Sequence, residues 1–85
     1  MDRAEFVKKC GELLAIAKPH LVRCDYVLGK DLELTAAEKS LGYIYPDDDE
    51  LVIVTCANGY RYILFVTGNS LNAIAAEIFN AMAYK

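Results

Sequence analysis

The sequence predicts an α+β fold: a three-stranded antiparallel sheet, N- and C-terminal helices packed on one face, and a short helix in the middle segment. Three observations predict it. Apolar residues recur at helical spacing near both ends of the chain. Residues 20–28, HLVRCDYVL, alternate in the period of a half-buried strand. Asn58-Gly59 stands between two apolar runs, a strong short-range hairpin signal. With 85 residues, the chain is expected to form a single domain over 1–85.

The first helix is predicted over residues 2–18. Asp2 is a favourable N-cap with Glu5 three residues on, and Phe6, Cys10, Leu13, Leu14 and Ala17 form one apolar stripe. Pro19 ends it, because the residue before a proline avoids the α region. In the strand that follows, Val22, Cys24, Tyr26 and Leu28 point one way, and Arg23 and Asp25 the other. Gly29-Lys30-Asp31 breaks the strand. Thr35 and Glu38 form a second capping pattern, so a short helix is expected at 36–41, stopped by Gly42.

Asn58-Gly59 is expected to form a two-residue type I′ turn, in which both residues adopt positive φ. That turn sets Ala57 against Tyr60, Thr55 against Tyr62, Ile53 against Leu64, and Leu51 against Val66. The other face then carries Val52, Val54 and Cys56 with Phe65, Ile63 and Arg61. Both faces are largely apolar, so something must cover the second: the middle segment, a second copy or a partner. The last helix is expected over residues 70–84, capped by Asn69 or Ser70. Leu71, Ile74, Ala75, Ile78 and Met82 line its buried stripe, with Phe79 at the edge.

Composition excludes several function classes. The net charge is −3 and the nine basic residues are scattered, which disfavours direct nucleic-acid binding. No apolar run approaches the ~20 residues of a membrane span. The opening MDRAEFVKKC lacks the apolar core of a signal peptide, so a cytoplasmic protein is expected. Cys10, Cys24 and Cys56 lack C-x-x-C spacing and read as small buried hydrophobes. His20 and Cys24, four apart, would share a strand face, but no third orienting group accompanies them. No phosphate loop, nucleophile elbow or zinc spacing is present. The chain is therefore expected not to be an enzyme and to need no cofactor.

The acidic run Asp47, Asp48, Asp49 and Glu50 has three readings. Pro46-Asp47 is ordinary turn chemistry, and the hairpin places the run near Gly68-Asn69-Ser70, where carboxylates favour a helix start. A divalent-cation site lacks the D-x-[DN]-x-[DN]-G pattern and a second acidic cluster, so none is expected. A partner-binding patch gains support from Tyr43 and Tyr45 just upstream, since tyrosine is enriched at interfaces. The alternative for those tyrosines is a short edge strand with half-buried rings. Tyr43, Tyr45, Asp47, Asp48, Asp49 and Glu50 are the candidate partner-binding residues.

Residues 41–85 resemble small phage and prophage proteins of gut Firmicutes. The likeness is carried by Asp47–Glu50, Asn58-Gly59-Tyr60, Val66-Thr67 and the alanine-rich Ala73–Ala76. The overall plan is similar to small acidic anti-CRISPR proteins, which look like DNA mimics, although a net charge of −3 is less than a strong mimic carries. The resemblance implies a non-catalytic phage-type module that binds a host protein with a basic surface, anti-defence inhibition being one form. The alternatives are a self-associating module, homodimeric through the hairpin face, and a small-molecule sponge.

Overall fold

The structure, a computed structural model, describes residues 2–83. Asp2 opens helix α1 (Arg3–Ala17), its carboxylate accepting the Glu5 N–H at 2.8 Å. Strand β1 (Leu21–Leu28) follows, then a 3-10 turn (Gly29–Asp31) and the short helix α2 (Ala36–Ser40). Thr35 and Glu38 complete a reciprocal capping box at α2, and Gly42 ends that turn at φ +80°. Strands β2 (Glu50–Cys56) and β3 (Arg61–Phe65) form the hairpin. Helix α3 (Leu71–Ala83) starts with the Ser70 hydroxyl accepting the Ala73 N–H at 3.2 Å. Tyr84, the last residue expected in this helix, lies outside the described residues.

The sheet has three antiparallel strands, as expected, and their order is β1-β2-β3. Val7, Cys10 and Leu14 of α1 and Ile74, Ile78 and Met82 of α3 pack on Cys24, Val52 and Val54. No helix among the described residues is long and apolar enough to cross a membrane.

The stripe of α1 differs from expectation. Leu13 is 64% exposed and Ala17 is exposed, whereas Val7 and Gly11 are buried. Apolar residues occur nearly all round this helix, so periodicity alone leaves its rotation open. Gly11 settles it by letting the backbone of α1 approach β1 closely: a Cβ there would lie 2.6 Å from the Cys24 nitrogen.

The hairpin register is one residue away from the expected one. Ile53 faces Ile63, Val54 faces Tyr62 and Leu51 faces Phe65. The connection is a three-residue loop, not a two-residue type I′ turn. The Gly59 N–H donates to the Cys56 carbonyl at 2.9 Å, and the Cys56 N–H donates to the Tyr60 carbonyl at 2.8 Å. Only Gly59 takes positive φ, +85°; Asn58 stays on the ordinary side and its side-chain oxygen accepts the Tyr60 N–H at 2.9 Å. This is the type I turn with a glycine in the left-handed position that three-residue hairpins favour. Gly59→Val is expected to cost about 1–2 kcal/mol, because a β-branched residue resists that φ. A denaturation midpoint unchanged in urea would contradict this turn.

The slip redistributes side chains between faces, as a one-residue shift must. Val52 and Val54 lie against the helices rather than with Ile63 and Phe65. The second face carries Leu51, Ile53, Ile63 and Phe65, with Val27 of β1 opposite Leu51. Leu51 is 0% and Ile53 4% exposed, so the β2 part of this face is covered within the chain, whereas Phe65 of β3 is left 56% exposed. The cover is the middle segment, one of the three coverings the sequence left open.

Candidate functional site

Three anchors hold the middle segment over the second face. The first is at its ends: the Gly29 N–H donates to the Asp49 carbonyl at 2.8 Å, and the Lys30 N–H to the Asp47 carbonyl at 3.2 Å. The second is Arg61 at the start of β3. Its guanidinium donates through Nε to Glu38 Oε2 at 3.3 Å, pairs through Nη2 with Glu38 Oε1, and reaches the Glu33 carbonyl at 3.0 Å. The Arg61 hydrogen bond is the chief cause holding the Glu38 carboxyl below the usual glutamate range. The third anchor is aromatic. Tyr45 rests on Phe65 with ring centroids 5.4 Å apart, and Tyr43 meets Tyr45 edge-on at 6.3 Å.

The acidic run divides in two. Asp47 and Asp48 are exposed and Asp49 is half-buried in the turn. Glu50 is held internally: its carboxylate accepts the Gly68 N–H at 2.8 Å and the Tyr26 hydroxyl at 2.7 Å, and meets Arg3 Nε at 3.2 Å. Its own N–H donates to the Thr67 hydroxyl at 2.9 Å. Glu50 thus joins the starts of α1 and α3 to the sheet. The Gly68 N–H, foremost, and the Tyr26 hydroxyl hold its carboxyl below the ordinary value of 4.5.

Glu38 and Glu50 therefore set an acid limit. A carboxyl whose folded pKa is depressed contributes stability above its unfolded pKa, and that contribution is lost as pH falls through the folded value. The melting midpoint should hold near neutrality and drop as pH falls below the ordinary glutamate value of 4.5. Glu50→Gln should lower the midpoint at neutral pH and converge on the parent at the acid end. Parallel curves for the two chains would contradict this.

The tyrosines lie differently from the short edge strand that was their alternative: residues 43–45 form no strand. Tyr45 is half-buried, while Tyr43 is 44% exposed. Around them the chain exposes Leu41 (68%), Ile44 (87%), Tyr60 (58%) and Phe65 (56%). Tyr43 and Tyr60 both line a hollow of about 240 Å³ beside α2 and a groove of about 350 Å³ along β3. Leu41, Tyr43 and Tyr60 share the hollow at the end of α2, and Tyr45 links Tyr43 to Phe65 at the far end of β3. Leu41, Ile44 and Tyr60 were not candidate contacts from the sequence; Phe65 was expected only as part of the apolar second face. The signal for Leu41 and Ile44 was LGYIY, an apolar stretch without alternation that is interrupted only by Gly42 and ended by Pro46. A smaller exposed pair, Leu13 and Ile16, lies one turn apart on α1.

Other chemistry finds little support. All three cysteines are buried free thiols, as expected, and burial above all pushes Cys24 up to about 11, away from the reactive thiolate. His20 lies in the turn before β1, exposed, not on the strand with buried Cys24. No group of three His, Cys, Asp or Glu among the described residues is placed to hold a metal ion. A hollow of about 550 Å³ lies between the middle segment and the sheet. Its two guanidiniums are already engaged, Arg23 with Asp25 at 2.7 Å and Arg61 with Glu38, so it offers a small anion no uncommitted cation. The chain matches no protein-family model, no curated protein and no solved structure.

Proposed function

We propose that this chain is a non-catalytic protein-binding module that docks through Leu41, Tyr43, Ile44 and Tyr60. One observation carries the reading: large apolar side chains are concentrated in water on a segment fixed by three anchors. An isolated exposed leucine needs no explanation, but a contiguous patch with tyrosines is the signature of an interface. The resemblance to small phage proteins makes a host protein the partner, and inhibition of a defence nuclease one form of the activity. Asp47, Asp48 and Asp49 lie beside the patch and would draw in a basic surface; Glu50, held internally, would act only through the position of its neighbours.

The test uses a Tyr43→Ser, Ile44→Ser, Tyr60→Ser variant whose melting midpoint matches the parent. A host protein captured by the parent and lost by this variant supports the reading; identical captures overturn it. The acidic turn should act on rate. Replacing Asp47, Asp48 and Asp49 by Asn should slow association with the captured partner and flatten its salt dependence, with dissociation changing less. Stopped-flow measurement at two ionic strengths checks this, and an association rate indifferent to the change would return the run to a turn.

A further inference from the structure

We propose that β3 pairs with β3 of a second copy, antiparallel and centred on Ile63, joining two sheets into one. The inference rests on the protein-binding reading and assigns the β3 side of that surface to a copy of the chain.

The first argument is the direction of the main chain. The Cys56 N–H donates to the Tyr60 carbonyl and the Val66 N–H to the Glu50 carbonyl at 2.9 Å. Hydrogen-bonded pairs alternate in an antiparallel ladder, so residues 60, 62, 64 and 66 direct their main-chain groups at β2. Those of Arg61, Ile63 and Phe65 therefore point away from it. Among the described residues no strand lies beyond β3. The groove of about 350 Å³ runs along this edge, between Tyr43 and Tyr45 on one side and Ala81 of α3 on the other.

The second argument is the contrast between the two sheet edges. An open edge is ordinarily guarded by charge, proline or a bulge. At β1 the ladder shifts between Leu21 and Arg23, and Arg23 and Asp25 form an ion pair on the strand. Residues 61–65, RYILF, carry one charge, and Glu38 holds it toward the middle segment.

The third argument is self-complementarity. Centring on Ile63 sets Ile63 against its own copy, Arg61 against the second copy's Phe65, and Tyr62 against its Leu64. Every outward-directed residue then meets an outward-directed residue, giving about six main-chain hydrogen bonds. No like charges are opposed, and Arg61 lies beside an aromatic ring, a favourable cross-strand pair. Phe65, more than half exposed in the single chain, gains a cover. An unrelated strand would have to supply this complement by chance; a second copy supplies it by symmetry.

The experiment is sedimentation equilibrium on the full chain. A dimer is expected. Ile63→Pro removes an outward N–H that β2 does not use, so it should yield a monomer with the parent's circular dichroism. Should that variant fail to fold, a charge pair at an exposed position decides. Phe65→Lys sets Lys against the second copy's Arg61 and should raise the dissociation constant about ten-fold or more. Phe65→Glu sets opposite charges together and should raise it less. In a mixed-label sample, α-protons of Tyr62 and Leu64 from different copies should show an Overhauser contact. A monomer at all concentrations, or a dimer indifferent to Phe65→Lys, overturns the proposal. Either result, with host-protein capture still dependent on Tyr43, Ile44 and Tyr60, leaves the protein-binding reading in place.

Discussion

Gly29→Ala is expected to lower the melting midpoint by about 10 °C or more, corresponding to about 2–3 kcal/mol in a domain of this size. The cause is space, since Gly29 does not adopt positive φ. A Cβ at Gly29 would sit 2.9 Å from the carbonyl carbon of Pro46 and closer still to its oxygen. That carbonyl cannot swing aside cheaply, because it accepts the Asp49 N–H at 3.1 Å. Gly29 cannot retreat either, because its own N–H is bound to the Asp49 carbonyl. Relief requires the end of β1 to separate from the 46–49 turn, breaking the bonds that close the middle segment. Tyr45 would then lose its seat on Phe65, and Leu51 and Ile53 their cover. Thermal unfolding gives the stability, and near-ultraviolet circular dichroism reports the tyrosine environment. Lys30→Ala, at an exposed neighbour, should change little. A Gly29→Ala midpoint within a degree or two of the parent would mean that the segment is not held as described.

What the sequence made legible is what local chemistry decides. Asp2 with Glu5, Thr35 with Glu38, and Ser70 each cap a helix through bonds spanning three residues, so short patterns reveal them. The existence of the hairpin was equally legible. Its register was not, because Asn-Gly serves both a two-residue loop and a three-residue loop ending in a left-handed glycine. Hydrophobic pattern could not arbitrate, since both faces of β2 are apolar. That single ambiguity moved Phe65 and Ile63 to a different set of neighbours. The need for a cover was readable from the apolar second face, but the choice of cover depends on Arg61 reaching Glu38, 23 residues away. Glu50 shows the same limit: it reads as one surface acid among four, and its bond to Tyr26 spans 24 residues. Tyr43 and Tyr45 were legible as candidate contacts by residue type. Tyr60 and Phe65 join them only through folding.

Gly11→Ala sets local and tertiary reasoning in opposition. In an isolated helix the change should stabilise by about 1 kcal/mol, because glycine gives up more backbone freedom than alanine. In this fold it is expected to destabilise by about 2 kcal/mol net, lowering the midpoint by roughly 8–15 °C. The added methyl would lie 2.6 Å from the Cys24 nitrogen and 3.0 Å from its Cβ, with the sulfur at 3.2 Å. Cys24 is paired with Val54 in the sheet and is 1% exposed, so its backbone cannot give way without disturbing β2. Helix α1 must instead move outward, and Val7, Cys10 and Leu14 lose contact with the core. A double variant identifies the obstacle. Cys24→Ala removes the sulfur but leaves the nitrogen, so adding it to Gly11→Ala should recover little of the loss. Measured as a cycle, a small coupling places the clash on the backbone; a large favourable coupling would place it on the thiol. A stabilised Gly11→Ala chain would show instead that α1 is not seated on β1 through this glycine, and would return its rotation to the stripe of Phe6, Leu13 and Ala17.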